Sequence, residues 1–172
     1  MAVLTHNEII KAIKRGKIKI EPYDESQIGP ASIDLTLGNE FRIFKSHQAP
    51  YHVRNDANFE DITEKRAIKN GESIVVNPGE MILGITVEKI TLPEDLCGRL
   101  EGRSRFARFG LAIHITAGFM QPGISNHQVL EIANLGRAPL ALYPGTKICQ
   151  FIFEECKGKA KYQGRFARQE RV

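Results

Sequence analysis

A single carboxylate, Glu131, stands inside an otherwise apolar segment, residues 129–133. If this segment is a strand, its alternation places Glu131 on the same face as Val129 and Ala133, so the carboxyl can point inward. Burial raises the pKa of a carboxyl group, and a raised pKa suits a general acid and base that works near neutral pH. The alternative is an edge-strand glutamate that faces water or pairs with an arginine, and the residues by themselves favour that structural interpretation.

An arginine-rich turn, residues 102–110, lies between two glycines and is the second candidate for chemistry. It carries Ser104 and three arginines: Arg103, Arg105 and Arg108. Guanidinium groups match phosphate oxygens, and the backbone amides that open a helical turn favour an anion. The other interpretation is an exposed short helix whose arginines pair with Glu101 and other surface carboxylates. The pattern favours neither.

The histidines predict no metal site. His114 alternates with Thr116 along residues 111–117, and a lone histidine on a strand is more often a core or interface residue than a catalyst. His6 and Glu8 have the H-x-E spacing of zinc deaminases, but the P-C-x-x-C segment that completes such a site is missing. We therefore expect no catalytic zinc.

These residues must be positioned by the elements around them, and the first element is a predicted helix. Thr5 and Glu8 have capping-box spacing, isoleucines and lysines then occupy opposite faces, and Gly16 is a plausible stop. Residues 33–37 alternate as a strand should, and residues 41–44 predict a second strand beyond a Gly-Asn pair.

From residue 73 onward the chain is predicted to be almost entirely β, after a polar loop at 45–72 that holds at most one strand. The predicted strands are 73–76, 81–87, 111–115, 129–133, 140–143 and 147–153. Pro-Gly pairs that begin at positions 78, 122 and 144 supply type II turns. Many short strands with regular turns predict a sandwich, a jelly roll or a distorted barrel.

Length and composition set the frame for this prediction. The chain has 172 residues, 42% of them hydrophobic and 26% charged, and at about 150 residues per domain we expect a single domain, 1–172. It has neither an apolar run near the roughly 18 residues that cross a bilayer nor the pattern of a signal peptide. Three cysteines without C-x-x-C spacing predict reduced thiols and a cytoplasmic protein: Cys97, Cys149 and Cys156.

The net charge of +4 is concentrated in part near the C-terminus. After residue 156 six basic residues face one acid, Glu170, which predicts a loosely held basic tail, residues 157–172. A solvated tail is the favoured interpretation, and attraction to a polyanion is the alternative. Because tryptophan is absent and tyrosine is scarce, we expect no nucleic-acid partner.

Six segments, in this order along residues 30–165, together resemble the dCTP deaminase branch of the dUTPase-like superfamily. Residues 30–38 are similar to the family motif P-x-S-x-D-L-R-L-G, and residues 102–108 are similar to G-R-S-S-x-x-R. Residues 111–118 resemble the segment that follows this second motif, and residues 121–134 resemble the stretch from D-P-G to L-E-x-x-N. Two later family segments are matched by residues 144–150 and 161–164. The resemblance implies a mainly β, dUTPase-like distorted barrel or jelly roll with a short N-terminal helix, and a tail that closes over the nucleotide.

The function implied by the resemblance is hydrolytic deamination of dCTP at C4, giving dUTP and ammonia and feeding dUMP and thymidylate synthesis. Glu131 would be the proton shuttle. Ser104 would hold the water and ammonia position together with the carbonyl of Ala117, and Arg108 would lie beside Glu131 and keep it ionised.

Nucleotide contacts are implied in the same way. Arg103 and Lys161 would neutralise the triphosphate, with Mg²⁺ bridging its oxygens. Gln150 and the backbone near Val129 would read the base and sugar. The other implied contacts are Arg105, Phe106, Ala107, Gln121, Leu130 and Arg165. The resemblance also implies a homotrimer with sites between subunits and dTTP as an inhibitor. The lack of a long apolar run separately predicts no membrane partner.

Departures from the family pattern bear on the product. Arg105 replaces a second serine, Arg165 replaces a glutamine, and Gln121 replaces the aspartate that is linked to water attack on phosphate in dUTPases and dUMP-forming deaminases. An amide cannot act as that base, so dUTP is the expected product. The alternatives are a bifunctional dUMP-forming enzyme, a dUTP or dCTP pyrophosphatase, and a non-catalytic nucleotide-binding member.

Overall fold

The computed structural model of the protein describes residues 2–69 and 71–172. Its helices are α1 (His6–Lys14) and α2 (Ser104–Ala107), and single 3₁₀ turns lie at Glu25–Gln27 and Phe59–Ile62. The strands are β1 (Lys19–Glu21), β2 (Ile33–Phe44), β3 (Thr63–Ala67), β4 (Ile74–Val76), β5 (Met81–Thr91), β6 (Leu96–Gly102), β7 (Leu111–Ile113), β8 (Phe119–Met120), β9 (Ser125–Asn134), β10 (Leu140–Leu142) and β11 (Lys147–Glu155). The mainly β fold predicted from the sequence is confirmed.

Nine strands form one curled antiparallel sheet, with the path β7-β9-β5-β2-β11-β6-β8. Strand β1 adds to β5 and β3 adds to β2, while β10 and β4 form a separate pair. Glu131 on β9 lies opposite Leu83 on β5. The arginine-rich turn follows β6, and three strands separate β6 from β9 along the path. The two candidate sites therefore begin from different parts of the sheet.

The core lies between the faces of the curled sheet. Phe151 and Phe153 on β11 are fully buried, and their ring centroids are 4.8 Å apart. A Cβ on Gly98 of β6 would lie 2.1 Å from the Phe151 ring, so only glycine fits beside that ring. Strand β6 was not among the strands predicted from the sequence. Gly98 and the charged residues beside it interrupt the apolar alternation that would have indicated a strand.

Other local predictions are confirmed in type and corrected in detail. Helix α1 begins after Thr5, but the Thr5 side chain makes no capping hydrogen bond, and Glu8 pairs instead with Lys11 at 2.8 Å. Gly16 ends the helix with φ +68°. Residues 33–44 are one strand rather than two, because an irregularity after Leu37 lets β2 continue through the Gly-Asn pair. The arginine-rich turn does contain a short helix, α2.

The C-terminal tail is docked on the sheet, so the prediction of a loosely held tail is wrong. The backbone N–H groups of Ser125 and His127 donate to the carbonyls of Ala167 and Gln169, both at 3.0 Å. These bonds use the free edge of β9 near its start. The final residue, Val172, is 4% exposed.

The thiols and the helices add two further observations. All three cysteines are free; Cys97 and Cys149 are buried and Cys156 is half-buried. Burial raises the pKa of Cys97 to about 11, with the neighbouring Cys156 contributing. Within residues 2–69 and 71–172, neither helix has the length and apolar character needed to cross a membrane.

Candidate active site

Glu131 opens onto a cavity of about 380 Å³, which is hereafter called the Glu131 cavity. Ala117, Gln121 and Val129, three of the predicted site residues, line it as well. On β9 the side chains of Leu130 and Ile132 are buried, whereas those of Val129 and Glu131 are half-buried. The alternation of the strand therefore turns Glu131 away from the core and into the cavity.

Two hydrogen bonds from Thr116 hold the carboxylate. The backbone N–H of Thr116 donates to Oε2 at 2.7 Å, and its hydroxyl donates to Oε1 at 2.5 Å. Partial burial raises the pKa of Glu131, but these two bonds and the nearby His114 outweigh it, so the pKa lies below its usual value of 4.5. The expectation of a raised pKa is wrong for this chain, because Thr116 stabilises the ionised form.

We expect Thr116→Val to raise the pKa of Glu131 and to move to higher pH the acid limb of any rate profile that depends on this carboxylate. Valine has nearly the shape of threonine but removes the hydroxyl donor, so the pKa of Glu131 rises toward its usual value of 4.5 while the backbone N–H bond remains. The same lowered pKa affects the free energy of folding. The stability that ionised Glu131 contributes is fully present above pH 4.5 and is lost as pH falls through the lowered pKa. Rate profiles between about pH 3 and 7, a range that extends below the usual value of 4.5, measure the shift.

Thr5→Val is the matched control, because the exposed side chain of Thr5 makes no capping hydrogen bond. Its acid limb should coincide with that of the native protein. An unchanged acid limb in Thr116→Val would show that the Thr116 hydroxyl does not set the protonation of the carboxylate.

His114 shapes the loop that carries Thr116 and Ala117. Its backbone has φ +58°, a left-handed conformation, and its N–H donates to the carbonyl of Glu131 at 2.6 Å. Its Nε2 lies 2.9 Å from the carbonyl of Ala117, which can only accept, so Nε2 carries the proton. Burial lowers the pKa of His114 and favours the neutral ring. His114 is thus a positioning residue, rather than only the core residue that its lone place on a strand suggested.

The arginine-rich turn lies outside the Glu131 cavity of the single chain. Ser104, Arg105, Ala107 and Arg108 are exposed on or beside α2, and none of them lines this cavity. Phe106 packs toward a separate apolar cavity of about 270 Å³. A Cβ on Gly110, which has φ +84°, would lie 2.4 Å from the backbone of Gly136 in the loop after β9, so this glycine fixes the end of the turn.

Arg103 and Gln150 belong to the same side of the molecule as this turn. Arg103 forms an ion pair with Asp34 at 3.0 Å and donates to the carbonyl of Lys147 at 2.6 Å. Gln150 accepts from Ser32 at 3.0 Å and donates to the carbonyl of Gly102 at 3.3 Å. Within one chain, the predicted residues of the Glu131 cavity and those of the arginine-rich turn therefore form two separate groups. The roles assigned to Ser104 and Arg108 beside Glu131 stay predictions.

Two predicted nucleotide-binding residues, Lys161 and Arg165, line a groove of about 630 Å³ between the tail and the end of β5. Tyr162 lines both this groove and the Glu131 cavity, so the two are adjacent. The turn at Gly123 packs on the tail, because a Cβ there would lie 2.9 Å from the Lys161 side chain. The tail thus places positive charge next to the cavity.

Several cavity residues were not predicted from the sequence. They include Phe59, His127, Gln128, Phe166 and Gln169. Phe59 comes from a polar loop without periodicity, and the last two come from the tail, so no local pattern marks them. The described part of the chain contains no group of three or more His, Cys, Asp or Glu residues that could hold a metal ion.

Solved structures share this architecture. A 2'-deoxycytidine 5'-triphosphate deaminase from Agrobacterium tumefaciens superposes with a TM-score of 0.67 at 21% identity, over 88% of this chain and 47% of that chain. A mutant dUTPase of Staphylococcus bacteriophage 80alpha matches with a TM-score of 0.51 at 14% identity, over 86% of this chain and 96% of that chain. The curled sheet and its cavity thus define a protein of the dUTPase-like fold.

Within that fold, the chain matches the dCTP deaminase-like family over residues 3–156 and belongs to it. A relative from Nocardioides sp., named dCTP deaminase, dUMP-forming, is 41% identical over 171 residues, covering 95% of this chain and 89% of the relative. A relative of the same name from Methanothermobacter thermautotrophicus is 40% identical over 164 residues, covering 94% and 83%. One from Parafrankia sp. is 45% identical over 148 residues, covering 86% and 73%.

Proposed function

We propose that this protein deaminates dCTP by hydrolysis, with Glu131 as the general base and acid. The observation that carries the proposal is the ionised carboxylate that two Thr116 bonds hold in a cavity of nucleoside size. Membership of the dCTP deaminase-like family supports the same chemistry. The other residues of that cavity are mainly apolar or uncharged, so they suit a base and a sugar better than a phosphate.

The proposed reaction converts dCTP and water into a deaminated nucleotide and ammonia. Glu131 takes a proton from water as the water oxygen bonds to C4, and it gives that proton to ring nitrogen N3. It then takes the second proton of the former water and delivers it to the amine, so that the C4–N bond breaks and ammonia leaves. Each carboxylate oxygen keeps one lone pair beyond its bond to Thr116, so the shuttle remains available.

We further propose that a second copy of the chain completes the site. Ser104 and Arg108 are exposed and lie outside the Glu131 cavity of their own chain. Apart from two histidines, the residues that line this cavity include no basic side chain that could pair with Glu131. A neighbouring α2 placed at the cavity mouth would bring the hydroxyl to the water and the guanidinium to the carboxylate. A closed symmetric homotrimer offers three such sites.

The triphosphate is proposed to run from the Glu131 cavity into the groove that Lys161 and Arg165 line. Both side chains are exposed there, and guanidinium and ammonium groups bind phosphate oxygens. Mg²⁺ would arrive with the nucleotide and neutralise its phosphate oxygens. The related nucleotide dTTP carries the same triphosphate and deoxyribose, so we propose that it competes for this site.

Two candidate functions differ in the nucleotide that is released, which is either dUMP or dUTP. All three relatives compared above are named dUMP-forming, which favours dUMP. In this chain Gln121 is exposed on the cavity wall, and Glu131 is the single carboxylate among the lining residues. Because an amide cannot activate water for attack on phosphate, Gln121 favours dUTP.

From Gln121 we expect the native protein to release dUTP with little pyrophosphate, and Gln121→Asp to release more pyrophosphate per ammonia. The aspartate restores a carboxylate that can accept a proton from water. Chromatography of the nucleotides and an assay of pyrophosphate measure the ratio. Asn7→Asp, which adds the same charge at an exposed position of α1 outside the cavity and the groove, is the control. Equal amounts of dUMP, pyrophosphate and ammonia from the native protein would instead establish the product of the relatives.

Release of ammonia from dCTP by the purified protein tests the proposed function directly. The assay is run with Mg²⁺ and with dUTP as the blank substrate, which has no amine to lose. Ammonia that appears with dCTP and is absent with dUTP supports the proposal. Tight dCTP binding without ammonia would instead identify a non-catalytic nucleotide-binding member.

A further inference from the structure

Phe59 reaches the Glu131 cavity from the polar loop at residues 45–62. It is the one residue of that loop that lines the cavity in the described chain, and the other lining residues belong to 83–131 and to the tail. The loop itself is ordered around Tyr51. The Tyr51 hydroxyl lies 2.8 Å from Asp61 and accepts from the backbone N–H of Asn58 at 3.1 Å. An aromatic ring is therefore held at the cavity by a segment remote from β9.

A buried arginine supports the ring from behind. Arg42 on β2 is 4% exposed, and its guanidinium carbon lies 5.1 Å from the centroid of Phe59. Its Nη2 pairs with Glu60 at 2.7 Å, and its Nη1 donates to Thr63 at 3.0 Å. A charged group is costly to bury, so this pairing and the contact with the ring fix both partners in place.

The tail meets the same ring from the other end of the chain. The guanidinium carbon of Arg165 lies 5.9 Å from the centroid of Phe59 and 5.6 Å from that of Phe166. Arg165 also donates to the side chain of Asn58 at 3.3 Å. Because Phe59 and Phe166 both line the Glu131 cavity, Arg165 joins the two segments that cover it.

We propose that Phe59 is a nucleotide-binding residue whose ring packs on the nucleoside of dCTP, and that Arg165 couples the 45–62 loop to the tail so that both close together over the bound nucleotide. This inference rests on the proposed function and adds a residue and a closing element to it. An aromatic ring offers apolar area to a pyrimidine or a deoxyribose at low entropic cost. Because Arg165 of the tail contacts Phe59 of the 45–62 loop, a movement of one segment changes the contacts of the other.

Binding of dCTP to the Glu131→Gln protein, measured by calorimetry, tests the contact without turnover. Phe59→Ala in that background should weaken binding about 5- to 150-fold, the range that corresponds to loss of one base–aromatic contact of about 1–3 kcal/mol. Phe59→Tyr should restore most of the affinity. Val53→Ala, at an 87% exposed position of the same loop, is the control and should bind as the parent does.

In the active protein the same substitution should raise KM more than it lowers kcat. Unfolding temperatures of Phe59→Ala and Val53→Ala separate a binding role from a loss of folding. Unchanged dCTP affinity in a folded Phe59→Ala protein would overturn the contact. If the native protein releases no ammonia from dCTP, the proposed function fails, and the two failures are distinct.

The coupling has its own test in a double-mutant cycle of Phe59→Ala and Arg165→Ala, read as dCTP affinity. If Arg165 acts through the ring, the two losses are less than additive, whereas independent contacts give additive losses and overturn the coupling. Trypsin cleavage after Arg168 supplies a second readout. Bound dCTP should protect the tail of the Glu131→Gln protein, and Phe59→Ala should reduce that protection at equal saturation.

Discussion

Glu131→Gln should lower kcat for dCTP deamination by about 10²–10⁴-fold or more, the range found when a general acid and base is removed. The carboxylate must accept a proton from water and return protons to the ring nitrogen and the amine. A glutamine amide can do neither at any pH at which the protein folds. Initial rates of ammonia release at saturating dCTP measure the loss.

Glutamine fits the position with little structural disturbance. Its oxygen can accept from the backbone N–H of Thr116, and its NH₂ can donate to the Thr116 hydroxyl, which then acts as an acceptor. The variant should therefore fold and bind dCTP. Glu155→Gln, at an exposed position on β11, removes the same charge elsewhere and should keep native activity. A Glu131→Gln protein with normal turnover would show that another group performs the proton transfers.

The sequence predicted the fold where the rules are local. The turn glycines and the strands rich in apolar residues follow from φ preferences and alternation, and Gly79, Gly123 and Gly145 all have positive φ. Strand β6 was not predicted, because its glycine is required by the close approach of Gly98 to the Phe151 ring, and such a contact leaves no apolar pattern in the local sequence. The tail escaped because its charge suggested solvation, whereas its backbone pairs with β9.

The candidate site divides in the same way. The strand that presents Glu131 is visible in the apolar residues around it, and ordered motifs indicated Ala117 and Gln121. The hydrogen bonds from Thr116 were not visible, because they depend on the left-handed turn at His114 that points residue 116 at the carboxylate. Phe59 lies 72 positions before Glu131, and a contact between such distant segments leaves no trace in either local pattern.

Two nearly inactive variants should regain activity when their chains are combined, if each site draws Ser104 from one subunit and Glu131 from another. Ser104→Ala removes the hydroxyl proposed to hold the water, and Glu131→Gln removes the base. When the two chains assemble at random in equal amounts, the Ser104 of a given site comes from the Glu131→Gln chain half of the time. Its Glu131 independently comes from the Ser104→Ala chain half of the time, so roughly a quarter of all sites are native, and about one site in three is native in the trimers that contain both chains.

Co-expression of the two variants with different affinity tags, followed by purification through both tags, isolates the mixed assemblies for the ammonia assay. A mixture of Glu131→Gln with Glu131→Ala is the control and should stay inactive, because no subunit supplies the carboxylate. Arg108→Ala can replace Ser104→Ala as the first partner, since both residues lie on the same exposed turn. Mixed assemblies as inactive as their parents would contradict a shared site. Because α2 lies away from the Glu131 cavity within one chain, we expect the mixed assemblies to release ammonia from dCTP.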